Sequence, residues 1–314
     1  MDRNELPNAQ DVPGTPPSSG SALDSYRAAG DDDAALDAAL AAAIAAVPLP
    51  AARARDDGAL VADCALPNVT FAESPLDALL LSLFRRFVAE GTGYDNTREA
   101  PRGILGLLAQ GREYMLRPGV DADAQHEMVR ETLRKLVTPA LPPFYRWFMG
   151  GVVPAPFAAA WRGAGLPGAA RDDDAPATLA DGEAQLGPTP WAPLFTSAVA
   201  PLAFGFLVGP SRVGLRADGA FGGLRVEKCK FLQESGCKGL CLHQCKLPAE
   251  SFFAAELGVP LTVSPNFETQ ECQWSWGETP LPPDEDPALP RGCLVGCPSR
   301  EQLREAGVAG GGCL

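Results

Sequence analysis

The sequence predicts an α+β fold: a helix-rich domain with a small β-hairpin and short strands, ending in a cysteine-rich C-terminal segment. Three observations carry that expectation. Apolar residues recur at helical spacing between Ser74 and Val137. β-Branched and aromatic residues punctuated by Gly, Asp and Pro fall between 211 and 277. Seven of the nine cysteines (Cys229, Cys237, Cys241, Cys245, Cys272, Cys293 and Cys297) crowd the last third, while Cys64 and Cys313 stand apart. With 314 residues and 46% apolar content, the chain suffices for one core with tails. A single domain is therefore expected over 70–300.

Residues 1–60 read as a disordered acidic leader. The first 30 mix Pro, Gly, Ser and Asp with few large apolar side chains, too little burial to offset chain entropy. Residues 34–52 are apolar mainly through alanine. Asp2, Glu5, Asp11, Asp24 and Asp31 to Asp33 do not fit a plastid transit peptide, which is rich in Ser and Arg and poor in acids.

At Ser74 the texture changes. Ser74 reads as an N-cap and Pro75 as the first helical residue, and apolar positions follow at helical spacing through Val88. Residues 101–117 and 123–137 repeat the pattern until Pro139, Pro142 and Pro143, which are expected to break it. Residues 144–149 and 191–208 suggest further helices. Between them, 162–189 are mostly Gly, Ala, Asp and Pro and read as an exposed insertion. Its Gly163, Gly165 and Gly168 form a formal dinucleotide fingerprint, but no strand precedes it and Pro167 lies inside, so it reads as chance.

Residues 211–232 predict a hairpin turning at Asp218-Gly219. Residues 237–257 look helical with a break near Pro248, 259–277 read as short strands, and 301–314 as a flexible tail.

The net charge of −13 argues against nucleic acid, which is held by Lys and Arg on phosphates. No stretch of about 18 strongly apolar residues predicts a spanning helix. Residues 191–210 come nearest, interrupted by Pro201, and are expected in the core or against a membrane surface. No signal-peptide apolar region opens the chain, which favours metal or redox chemistry over disulfides for the cysteines.

Cys237, Cys241 and Cys245 recur every four residues. On a helix they would form one stripe, each about 40° round from the last, with Cβ atoms roughly 5–6 Å apart, farther than a disulfide allows. Soft thiolates suit zinc or iron–sulfur clusters, with a further ligand from Cys229, Cys272, Cys293 or Cys297. The same residues also suit buried small hydrophobes or long-range disulfides. His243, within Cys-Leu-His-Gln-Cys, is one of two histidines, with His126, and is a candidate for ligating the metal or moving a proton.

The run from Lys228 through Pro248, then Phe252-Phe253 and Leu257 through Glu268, resembles the signature of the plastid β-carotene isomerases of strigolactone biosynthesis. Similarity continues through Cys272 and Cys293 and, more weakly, back to Leu76. The resemblance implies an iron-dependent carotenoid cis–trans isomerase of plastids, interconverting all-trans- and 9-cis-β-carotene. Its iron would be mononuclear or in a cluster on the cysteine-rich region 228–298, with zinc as the alternative metal. A polyene offers no polar handle, so its slot should be apolar. Phe204, Phe206, Phe252 and Phe253 are the leading candidates to line it, with Phe84, Phe87 and Trp147 behind. The slot is expected to open toward lipid, with 191–210 as a peripheral membrane contact. A metal-stapled carotenoid-binding module without catalysis and a disulfide-braced structural protein are the alternatives.

Overall fold

The structure, a computed structural model, describes residues 68–96, 101–137, 139–164, 179–289, 292–294 and 296–305. The leader, Cys64, Cys313 and the centre of the insertion lie outside the described residues.

Three helices form one layer. Helix α1 (Pro75–Thr92) starts as the sequence predicts: Ser74 Oγ accepts from Asp77 N at 3.1 Å, and the Asp77 carboxylate accepts from Ser74 N at 2.8 Å. Gly93, at φ 65°, closes it. α1 buries Leu81, Phe84 and Val88 against α2 (Gly103–Met115) and α3 (Ala122–Leu136), which bring Leu107, Leu108, Met128, Val129 and Leu133 to the same core. The buried Arg85 guanidinium bridges the Pro101 carbonyl at 2.8 Å and Asn96 Oδ1 at 2.9 Å.

The prolines expected to break the chain at 142 and 143 instead open helix α4 (Leu141–Phe148). At a first turn a missing N–H costs nothing, because that N–H has no helical partner anyway. Strand β1 (Val152–Pro154), helix α5 (Ala155–Gly163) and strand β2 (Glu183–Gln185) follow. The stretch 162–189 is therefore not wholly an exposed insertion. β2 pairs antiparallel with β1, and Gln185 is buried, its amide donating to the Gly150 and Gly258 carbonyls at 2.7 Å each. Those two carbonyls, on backbones that nearly touch, need a donor, which composition does not reveal. Gly163 is the last residue of α5, and Gly165 and Gly168 lie outside the described residues.

Helix α6 (Ala192–Val208) leads into a four-stranded antiparallel sheet of order β3-β4-β6-β5, with β3 Ser211–Leu215, β4 Phe221–Val226, β5 Leu261–Pro265 and β6 Cys272–Trp276. In register, Leu224, Trp274 and Val263 form one buried row across three strands. The hairpin turns at Asp218-Gly219, but its second strand stops at Val226. Residues 230–235 are helix α7, N-capped by Cys229, whose Sγ accepts from Leu232 N at 3.4 Å.

Helix α8 (Lys238–Cys241), a π-helical turn (Leu242–Lys246) and helix α9 (Leu247–Leu257) run on without the break expected at Pro248. Proline lacks an N–H for the carbonyl four residues back and clashes with it. The turn widened to i→i+5 just before Pro248, with Leu247 N bonded to Leu242 O, accommodates it. A last helix, α10 (Pro298–Glu305), covers the first residues of the expected flexible tail.

One cation joins these pieces. Lys246, 1% exposed, reaches Glu250 Oε1 at 2.7 Å, Asp286 Oδ2 at 2.8 Å and the Val263 carbonyl at 2.7 Å. Glu250 Oε1 also accepts from Val263 N at 2.8 Å. Lys246→Met leaves two carboxylates buried without a counter-ion and is expected to cost about 3–5 kcal/mol in urea unfolding. Adding Glu250→Gln and Asp286→Asn is expected to recover part of that loss.

Candidate functional site

Between the three-helix layer and the sheet lies an apolar cavity of about 50 Å³. α1, α2 and α3 contribute Phe84, Leu108 and Met128; α6 contributes Phe204 and Leu207; β6 and α9 contribute Trp274 and Phe253. Of the four leading slot candidates, Phe204 and Phe253 line the cavity. Phe206 and Phe252 do not; both are buried core, as are most large aromatics. Phe84 lines it, Phe87 does not, and Trp147 is exposed on α4. Among the lining residues, Gln244 and Cys245 lie together on the π-helical turn. Gln244 donates to the Gly111 carbonyl at 2.9 Å and to Gln125 Oε1 at 3.2 Å, which fixes the turn against α2 and α3. Sequence reasoning passed over Gln244; its place beside Cys245 was the only signal.

Cys237, Cys241 and Cys245 do not form one helical stripe. Cys237 is the extended N-cap of α8, so its side chain leaves the face, and its Sγ lies 3.3 Å from Ser299 Oγ. Cys245 sits in the π-helical turn, where the residue spacing differs. What the fold brings together is Cys229 from the α7 cap, Cys241 from the end of α8, Cys245 from the turn and Cys272 from the start of β6. Cys241 feels the other three electrostatically, Cys272 feels Cys229 and Cys245, and Cys245 feels Cys229. Cys293 and Cys297 are buried beside the approach to α10. Cys229, Cys241, Cys245 and Cys272 are not joined in disulfides.

Burial pushes the Cys229 thiol up to about 11. Burial, and then the neighbouring thiols, push Cys241, Cys245 and Cys272 higher still. Lys246 opposes that rise at all three. Without a bound cation these sulfurs are neutral thiols at physiological pH.

Among the described residues, no three His, Cys, Asp or Glu side chains are arranged to hold a single metal ion. A lone iron or zinc needs three or four ligands on one atom and does not fit this arrangement. The chemistry of the donor set, four soft sulfurs in one neighbourhood with three of the cysteines buried and Cys245 half-buried, suits an iron–sulfur cluster, whose irons are each held by cysteine thiolate.

His243 does not line the cavity. It stacks on His126 of α3, with ring centroids 5.3 Å apart, planes within 19° and His126 Nε2 3.1 Å from His243 Nδ1. Burial, then His243, hold His126 below the usual imidazole value. The two histidines, 117 residues apart, thus clamp the π-helical turn to the helical layer.

Residues 208–285 match the C-terminal domain profile of the family described as β-carotene isomerase D27-like. The chain is 34% identical over 114 residues to the chloroplastic β-carotene isomerase D27 of Arabidopsis thaliana, covering 34% of this chain and 40% of the relative. It is 33% identical over 104 residues to that of Medicago truncatula, covering 31% of this chain and 40% of the relative. The chain thus aligns with about two-fifths of the length of each relative. No solved structure matches it.

The raised thiol values set an alkaline limit on the metal-free protein. The folded state holds the Cys229 proton up to about pH 11, whereas an unperturbed thiol releases it near 9.0. The burial therefore contributes stability that is complete below pH 9 and lost as pH rises through 11. Urea midpoints are expected to be flat from pH 7 to about 8.5 and to fall steadily above it.

Proposed function

We propose that this chain is a carotenoid cis–trans isomerase of the plastid, interconverting all-trans- and 9-cis-β-carotene with iron held by Cys229, Cys241, Cys245 and Cys272. The observation that carries the reading is positional. The segment similar to the β-carotene isomerases, 208–285, contains all four clustered cysteines, and one of them, Cys245, forms part of a largely apolar wall.

Rotation about a polyene double bond requires its π bond to be weakened. Iron in a thiolate cluster supplies one-electron exchange when bound. The chain's own residues supply the rest. Phe84, Phe204, Phe253 and Trp274 exclude water and hold the polyene by apolar burial, worth about 25 cal/mol per Å². Gln244 holds the π-helical turn, and so Cys245, in place.

A cavity of about 50 Å³ is far below the roughly 300–1,000 Å³ of a small-molecule site. Its walls must part to admit a C40 chain. That tightness favours, as a second reading, a carotenoid-binding module without turnover.

Anaerobic purification with iron and sulfide analysis tests the cluster. Cys241→Ala and Cys272→Ala are expected to lose iron and isomerisation together. Cys237→Ala, at the N-cap of α8 beside Ser299, is expected to keep both. Stoichiometric zinc, or full activity in metal-free protein, would overturn the iron assignment, and iron-loaded protein that binds β-carotene without converting it would establish the second reading.

A further inference from the structure

Away from the cavity, the large exposed apolar side chains gather on two neighbouring helices. On α4, Phe144, Trp147 and Phe148 share a face and are 53%, 58% and 44% exposed. On α6 and its N-cap, Trp191, Phe195 and Leu202 recur at i, i+4 and i+11, and Leu202 is 83% exposed. The two rows are continuous: the Phe148 ring lies 5.2 Å from Trp191, and Trp191 lies 6.4 Å from Phe195. Beneath them the Tyr145 and Thr196 hydroxyls hydrogen-bond, tying α4 to α6. Apolar side chains left out in a contiguous patch mark a surface that something covers.

Charge decides what covers it. None of the 17 residues of α6 is charged. The one charge on α4, Arg146, is turned inward onto Glu183 and the Ala255 carbonyl. The surface therefore presents no cation to an anionic headgroup, and a chain of net charge −13 is repelled by anionic membranes. Indoles among phenylalanines and leucines are the composition that settles at a lipid–water interface. No helix among the described residues is long and apolar enough to cross a membrane, so the contact is peripheral.

α6 has a second role. Its C-terminal half places Phe204 and Leu207 on the cavity wall, so one helix carries both the exposed row and the lining. Pro201 stands between the two halves and deprives the Ser197 carbonyl of its helical partner, which leaves α6 most easily bent there.

We infer that α4 and the exposed row of α6 from Trp191 to Leu202 are a docking surface for an uncharged lipid bilayer, from which the cavity is loaded past α6. The sequence expectation named only 191–210; the leading aromatics are on α4. The identity of the loaded molecule rests on the carotenoid reading, and the docking itself does not.

The test is flotation of the full chain with vesicles of phosphatidylcholine alone. The wild type is expected to float, to keep floating in about 0.5 M NaCl because no ion pairs are involved, and to shift its tryptophan emission to the blue. Trp147→Ser with Phe148→Ser, and separately Leu202→Asp, replace exposed side chains. Each variant is expected to keep its melting temperature, with binding falling about tenfold or more for each aromatic removed. No flotation, flotation only with anionic vesicles and reversed by salt, variants that float as the wild type does, or a dimer that the variants dissolve without any lipid binding would each overturn the proposal. Wild type that floats but never converts β-carotene carried in the same vesicles would uphold the docking surface and sink the isomerase reading. Conversion of detergent-dispersed but not vesicle-borne β-carotene by the double variant would uphold both.

Discussion

The buried ammonium of Lys246 is the constraint on which the rest of the cysteine-rich half depends. It ends the π-helical turn, pairs with Glu250 one turn into α9, donates to the Val263 carbonyl of β5 and draws Asp286 in from the segment that follows the sheet. Four separate pieces of chain thus converge on one charge that has no access to water. Such a network is costly to desolvate and strongly destabilising to break, so it selects one arrangement of these pieces rather than adding much net stability. It also sits beside Cys245, within electrostatic reach of three of the four clustered thiols, where a fixed positive charge favours the ionised sulfur that burial disfavours.

The π-helical turn ahead of Lys246 is where fold and site meet. Pro248 forces the widened turn, and the widening aims Gln244 and Cys245 into the cavity while His243 faces His126 on the opposite layer. Single π-helical turns within helices are frequent at functional sites because they redirect side chains that regular spacing would align. Here the redirection separates Cys237 from Cys241 and Cys245 and recruits Cys229 and Cys272 in its place. A cluster drawn from a helix cap, a helix end, a turn and a strand holds its four sulfurs by tertiary packing.

Much of the architecture was legible. The Ser74 capping box, the amphipathic rows of α1 to α3, the hairpin at Asp218-Gly219 and the short strands around Trp274 and Trp276 are each local signals, and local signals survive folding. The misses have physical causes too. Pro142 and Pro143 were read as breakers because proline's effect depends on where a helix starts, and β2 was hidden because its buried Gln185 earns its place from carbonyls 35 and 73 residues away. For the site, the cysteines were readable from composition, and an apolar cavity was an expectation of the resemblance. Which phenylalanines line it was not, since Phe204 and Phe206 differ only in the side of α6 that faces the cavity.

By itself the sequence determined the chemistry available: soft sulfur donors, an apolar interior, an acidic net charge, and a stretch similar to the β-carotene isomerases. These follow from residue types and short spacings, which are properties of the chain whatever its shape. Only the tertiary structure decided which four sulfurs share a neighbourhood, that the two histidines form a pair, and that the exposed aromatics of α4 continue onto α6. Those are distances between residues tens to more than a hundred positions apart, and they are set by how helices and strands pack, which no local periodicity encodes.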